Sequence, residues 1–101
     1  DGCAPPLAFL GVLDDLVARR EHERPEGSYT TRLFEQGMRR IAQKVGEEGV
    51  ETALAAVSED DAALLGESAD LIYHLLILLR ARKLDLAAVV ETLRLRHVAA
   101  K

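Results

Sequence analysis

Apolar residues recur along this chain at helical spacing in four stretches. Leu10, Leu13, Leu16 and Val17 fall on one side of a helix predicted over about residues 7–22. Phe34, Gly37, Met38, Ile41, Val45, Thr52 and Ala56 line one face of a second, over residues 31–57. Leu64, Ser68, Leu71, Leu75 and Leu78 mark a third, which follows Ser58-Glu59-Asp60-Asp61 and runs to about Arg82. Leu86, Val89, Val90 and Leu93 point inward from a fourth, over 86–98, with Asp85 as its cap. No stretch alternates with the period of two that a half-buried strand shows. Pro25-Glu26-Gly27 ends the first helix, and Ser28-Tyr29-Thr30-Thr31 offers capping hydroxyls to the second. The pattern predicts an all-α bundle of four to five helices.

Three features break the regularity. Glu48 projects from the middle of the second helix's apolar stripe, where a leucine is expected; Glu47 and Glu51 follow on one shoulder, with Lys44 beside Glu51. A lone carboxylate there costs several kcal/mol (on the order of 3 or more) unless it is paired. Gly37, Gly46 and Gly49 in this helix read either as helix ends or a break, or as close approach of another backbone or a ligand; Gly46 and Gly49 bracket Glu47 and Glu48, which favours close approach. From Leu71 to Leu79 only Tyr73 and His74 interrupt the apolar residues, so the third helix is predicted to be buried on more than one side.

At 101 residues, 49% hydrophobic and 30% charged, the chain is long enough for one domain, 1–101, with 1–6 as a flexible tail. A core of this size is limited, so a partner would stabilise it. The net charge of −4 argues against a nucleic-acid binder. The single Cys3 forms no internal disulfide and has no histidine near it in sequence to activate it. No run of about 18 apolar residues suggests a membrane span, and residues 1–13 lack the basic start of a signal peptide.

Glu67 and Asp70 form a second acidic pair on the third helix, with His74 on the same shoulder. If the two helices pack antiparallel across the turn at 58–61, five carboxylates (Glu47, Glu48, Glu51, Glu67 and Asp70) face one another. Such a set repels itself unless protons or cations neutralise it. Hard oxygen donors suit Mg2+ or Mn2+, and magnesium in an acidic site takes part of its shell from phosphates. The plainer reading is a solvated acidic face, or Glu67 and Asp70 paired with arginines, and the spacing alone leaves both open. A di-iron bundle would need Glu three residues before His, but Arg19, Leu71 and Arg94 precede His22, His74 and His97. Zinc-type clusters, a glycine-rich phosphate loop and a Ser-His-Asp order are also missing from the sequence.

Glu48-x-x-Glu51, fifteen residues, then Glu67-x-x-Asp70 resembles the acidic motif of the MazG-like all-α nucleotide pyrophosphohydrolases. Ser28-Tyr29-Thr30, Leu33-Phe34, Gly37, Lys44-Val45-Gly46-Glu47-Glu48, the Glu67 to Leu76 string and Leu95-Arg96-His97 together are similar to phosphoribosyl-ATP pyrophosphohydrolases over about residues 10–97. Gly49 departs from the alanine more usual there. The resemblance implies cleavage of phosphoribosyl-ATP to phosphoribosyl-AMP and pyrophosphate in histidine biosynthesis, with Mg2+, by a cytoplasmic, stand-alone homodimer. On that basis Glu47, Glu48, Glu51 and Asp70 hold the metal, with Glu67 as a further ligand or support. Glu48 or Glu51 handles the water, and Lys44 meets phosphate. Ser28, Tyr29 and Thr30 bind substrate, with capping as an equal role for Thr30. Arg32, Arg39 and Arg40 are weaker phosphate candidates, and Tyr73 and His74 would pack the site wall or the dimer. Two alternatives share the fold: a house-cleaning nucleoside triphosphate pyrophosphatase, and a helical dimerisation module without activity.

Overall fold

The computed structural model describes residues 5–99, so the Cys3 reading lies outside the described residues. Five helices follow in order: α1 Pro6–Glu23, α2 Tyr29–Gln36, α3 Met38–Ser58, α4 Asp61–Ala81 and α5 Leu86–Ala99. Pro6, assigned to the tail from sequence, is the first helical residue. Its missing N–H costs nothing at that position. Two caps match the sequence: the Ser28 hydroxyl accepts from the Thr31 amide at 3.2 Å and Asp85 from Ala88 at 2.9 Å; Asp60, in the turn before α4, caps that helix by accepting from Ala63 at 2.9 Å.

The predicted second helix is two helices. Gly37 adopts φ 96° and ψ 173°, a conformation open essentially to glycine alone, and the chain changes direction there. The short α2 thereby leaves the line of α3 and lies against α1, α3 and α4. The inner face shifts as a result: Ile41, Glu48 and Ala55 are the buried residues of α3, while Met38 and Ala56 are exposed.

The core gathers Val17, Leu33, Phe34, Ile41, Leu76 and Ile77. The two-residue link between α3 and α4 makes them an antiparallel hairpin, the main packing unit. On α4 the fully buried positions are His74, Leu76 and Ile77, whereas Leu64, Leu71, Leu75 and Leu78 are half-buried. Val90 and Leu93, expected inward on α5, are 52% and 48% exposed because no helix of this chain covers that face. Leu65 and Ile72 of α4 and Val50, Leu54 and Val57 of α3 are exposed as well. One expectation fails on composition: α4 is long and apolar enough to cross a membrane. Glu67 and Asp70 sit near its mid-length, and α3 covers only part of its apolar surface, since 17% of the apolar window is buried within this chain.

Asp14 anchors α5 and went unnoticed in the sequence. It is buried on α1, receives Arg80 Nε at 3.1 Å and Nη2 at 2.8 Å, and accepts from the Leu86 amide at 3.1 Å. Arg80, in the last turn of α4, is the partner that makes this pair.

Candidate active site

The α3–α4 hairpin places Glu48 opposite Glu67 and Asp70, and one carboxylate oxygen of each lies within 4.8 Å of the others. Glu48 is 6% exposed, Glu67 is half-buried and Asp70 is exposed, so the cluster grades from core to solvent. Glu48 Oε1 meets the Lys44 ammonium at 3.4 Å. Its other oxygen, Oε2, is buried without a hydrogen-bond partner. A buried acceptor with nothing to accept is costly, and beside two further carboxylates it calls for a cation. Three hard oxygens from two rigid helices fit Mg2+ or Mn2+.

Glu51 stands beside this trio. The negative charge of Glu48 pushes its carboxyl above the ordinary 4.5, and the charge of Glu67 adds to the rise. Glu47 does not join the trio. It is exposed, accepts from Gln43 Nε2 at 3.0 Å and lies 3.7 Å from Lys44. With Gln43, Gly46, Val50 and Glu51 it lines an open hollow of about 530 Å3. Among the described residues the bare backbone at Gly46 and Gly49 meets no other part of the chain, since a Cβ at either would find nothing within 4 Å. The predicted close approach is therefore not made within this chain. A larger apolar hollow, about 870 Å3 between α1 and α5, contains none of the clustered carboxylates.

Lys44 links the acids to the start of α2. Burial works against its charge, yet Tyr29, Glu48 and Glu47 hold the ammonium above its ordinary value. Tyr29 and Thr30 reach α4 through their hydroxyls. His74 Nδ1–H donates to the Asp70 carbonyl at 2.7 Å, which leaves Nε2 bare to accept from the Tyr29 hydroxyl, also at 2.7 Å. The Thr30 hydroxyl pairs with that of Tyr73. His74 thus braces Tyr29 from a buried position one turn beyond Asp70, a role its spacing from Asp70 hinted at but did not specify. Ser28 caps α2 and also accepts from Arg20 Nη1 at 3.3 Å. Four predicted groups (Glu48, Glu67, Asp70 and Glu51) come together, Lys44 and Tyr29 adjoin them, and Glu47 lies outside.

Comparison with known proteins converges on the same region. The model of the family described as phosphoribosyl-ATP pyrophosphohydrolase matches residues 10–97. The histidine biosynthesis bifunctional protein HisIE of Xanthomonas campestris pv. campestris is 70% identical over 97 residues, covering 94% of this chain and 47% of the relative. That of Xylella fastidiosa is 70% identical over 94 residues, covering 93% and 46%, and that of Shigella sonnei 56% over 89 residues, covering 88% and 44%. The chain thus spans about half the length of the curated relatives it matches. With the family model covering most of its length, the chain belongs to the phosphoribosyl-ATP pyrophosphohydrolase family.

Proposed function

We propose that this chain hydrolyses phosphoribosyl-ATP to phosphoribosyl-AMP and pyrophosphate, a step of histidine biosynthesis, at the cluster of Glu48, Glu67 and Asp70. The observation that carries the reading is the unpartnered, buried Glu48 oxygen at the centre of three converging carboxylates. Glu48, Glu67 and Asp70 would hold Mg2+, with Glu51 at the solvent side; Glu47 lines the entrance. When bound, Mg2+ supplies positive charge that offsets the triphosphate and makes a bound water more acidic. Glu51 takes the proton from the water that attacks the α–β anhydride, because it is reachable from solvent and its carboxyl is already more basic than usual. Glu48 is less suited to that task, being buried and committed to Lys44 and the cation. Lys44 and the Tyr29 segment meet phosphate. The same reading sets the enzyme in the cytoplasm.

We also propose a homodimer that covers the exposed apolar residues of α3 and α4. Val50, Leu54 and Val57 recur at spacings of four and three, so they share one side of α3. The molecule exposes 7131 Å2, against about 5,700 Å2 for a compact monomer of this mass. Sedimentation of the purified chain tests this: a monomer at micromolar concentration would remove it. The functional test is pyrophosphate release from phosphoribosyl-ATP with and without Mg2+, beside the same assay on deoxynucleoside triphosphates. Metal-dependent turnover that favours phosphoribosyl-ATP is expected. A preference for ordinary triphosphates would favour the house-cleaning alternative, and no turnover of any nucleotide would favour the inactive module.

A further inference from the structure

Phosphoribosyl-ATP carries phosphate at two ends, a triphosphate on one ribose and a monophosphate on the other. The acidic cluster suits only the first, through a cation. The second is a phosphomonoester dianion and requires fixed positive charge.

Two arginines supply such charge at the turn that leads into α2. Arg20 of α1 is half-buried and reaches the Ser28 hydroxyl at 3.3 Å. Arg32 of α2 reaches the Gly27 carbonyl at 3.4 Å, with its guanidinium carbon 6.0 Å from the centre of the Tyr29 ring. Both guanidiniums thus converge on adjacent residues of one turn. Neither forms an ion pair among the described residues. The acids of the same segment leave them unneutralised, since Glu21 pairs with Arg24 and Lys83 and Glu26 pairs with nothing described. Ser28 Oγ already accepts from Arg20 and from the Thr31 amide, so its own proton is left to donate. The neighbouring Thr31 hydroxyl is buried and unpartnered.

This turn stands beside the catalytic cluster. Tyr29, against which Arg32 lies, is hydrogen-bonded to His74, and His74 to the carbonyl of Asp70. Two ring side chains, Tyr29 and His74, therefore link a basic end to the backbone of Asp70 at the acidic end. That polarity matches a substrate whose triphosphate arrives with Mg2+ while its far phosphate arrives without a metal.

We propose that Arg20, Arg32 and the Ser28 hydroxyl form the subsite for the phosphate on the second ribose, and so set the preference for phosphoribosyl-ATP over ATP. The proposal rests on the acidic cluster being the site of triphosphate cleavage. Bidentate guanidinium contacts and a neutral hydroxyl donor recognise the phosphomonoester, and ATP has no group to place there.

Binding and turnover test the idea separately. Calorimetry of the whole chain with phosphoribosyl-AMP and with AMP reads the subsite without chemistry. Wild type should bind phosphoribosyl-AMP more tightly, and Arg20→Gln and Arg32→Gln should each narrow that preference by about ten-fold or more, as expected for losing a charge-assisted hydrogen bond. In kinetics the same variants should raise KM for phosphoribosyl-ATP far more than they lower kcat. Arg32 is exposed, so its variant is expected to fold normally. Equal wild-type affinity for the two monophosphates would overturn the subsite even if hydrolysis stands. An unchanged preference in Arg32→Gln, with melting temperature unaltered, would do the same. If wild type prefers phosphoribosyl-AMP and the variants abolish that preference, yet phosphoribosyl-ATP is not hydrolysed, the subsite stands and the catalytic reading falls.

Discussion

Replacing Glu48 by glutamine separates a metal ligand from a structural ion-pair partner. The change keeps the shape and removes the charge. At an effective dielectric of about 20, charges no more than 4.8 Å apart repel by at least about 3 kcal/mol, and ionised Glu48 faces two of them, Glu67 and Asp70. On the same scale the Lys44 contact at 3.4 Å contributes about 5 kcal/mol of attraction, before screening through its partly exposed side chain reduces it. The two repulsions sum to at least about 6 kcal/mol, slightly more than the attraction; exposure of Asp70 screens its share and narrows the gap, while desolvation of Glu48 adds to the unfavourable side. Metal-free Glu48→Gln should therefore unfold within about 1–2 kcal/mol of wild type. Mg2+ should act differently on the two proteins. At ten times its Kd it would stabilise wild type by about 1.4 kcal/mol, or roughly 6–11 °C in a domain of this size. The variant should show little of that shift and should lose at least about 100-fold in metal-dependent pyrophosphate release. Thermal melts with and without Mg2+, beside the release assay, provide the readout. A metal-free variant that melts more than ten degrees (about 2 kcal/mol) below wild type would make Glu48 a structural partner of Lys44. A variant that keeps both the Mg2+ shift and the activity would refute the ligand role.

Further outcomes follow from other parts of the fold. The Glu51 carboxyl is raised, so the native state holds its proton more tightly than the unfolded chain does. In metal-free protein its contribution to stability should fall as pH rises above 4.5 through the raised value; melting temperatures across that range should flatten in Glu51→Gln. Glu21 is lowered, chiefly by its hydrogen bond with Lys83, so its contribution is lost only below 4.5 and occupies a separate window. Asp14→Ala strips Arg80 of its carboxylate partner and the Leu86 amide of its acceptor; urea titration should show a loss of about 3 kcal/mol, the low end for a broken buried pair because Arg80 is partly exposed. Gly37→Ala forces a side chain into φ 96° and should cost about 1–3 kcal/mol by the same titration, although a Cβ there would meet no neighbouring atom.

Helical periodicity reports an angle around one axis, and this limit explains what the sequence revealed and what it did not. Glu48 was legible because a charge in an apolar stripe conflicts with its surroundings at any register. Glu67 and Asp70 were legible because three residues separate them on one helix. Glu47 lies outside the trio because it is turned about 100° around the α3 axis from Glu48, which leaves it on the exposed side. A break was one of two readings of Gly37 and was passed over because an apolar pattern continues across it; only the positive φ reveals that the glycine is needed there. Asp14 and Arg80 lie 66 residues apart, beyond any local pattern.

The uncovered residues teach the complementary lesson. Apolar spacing on α5 and the all-round apolar stretch of α4 state that a face is to be covered without stating by what. Val90, Leu93 and Ile72 therefore read as core in sequence and as surface in one chain. The bare faces of Gly46 and Gly49 are of the same kind. They flank Glu47 and Glu48 and meet nothing among the described residues, while Val50 and Leu54 continue from them as exposed apolar residues. A second subunit and a nucleotide are the two bodies the proposed reaction brings to that region. Introducing alanine at both glycines distinguishes them: if the space admits a nucleotide, KM rises while the sedimentation coefficient holds, and if it admits a second subunit, the dimer weakens first.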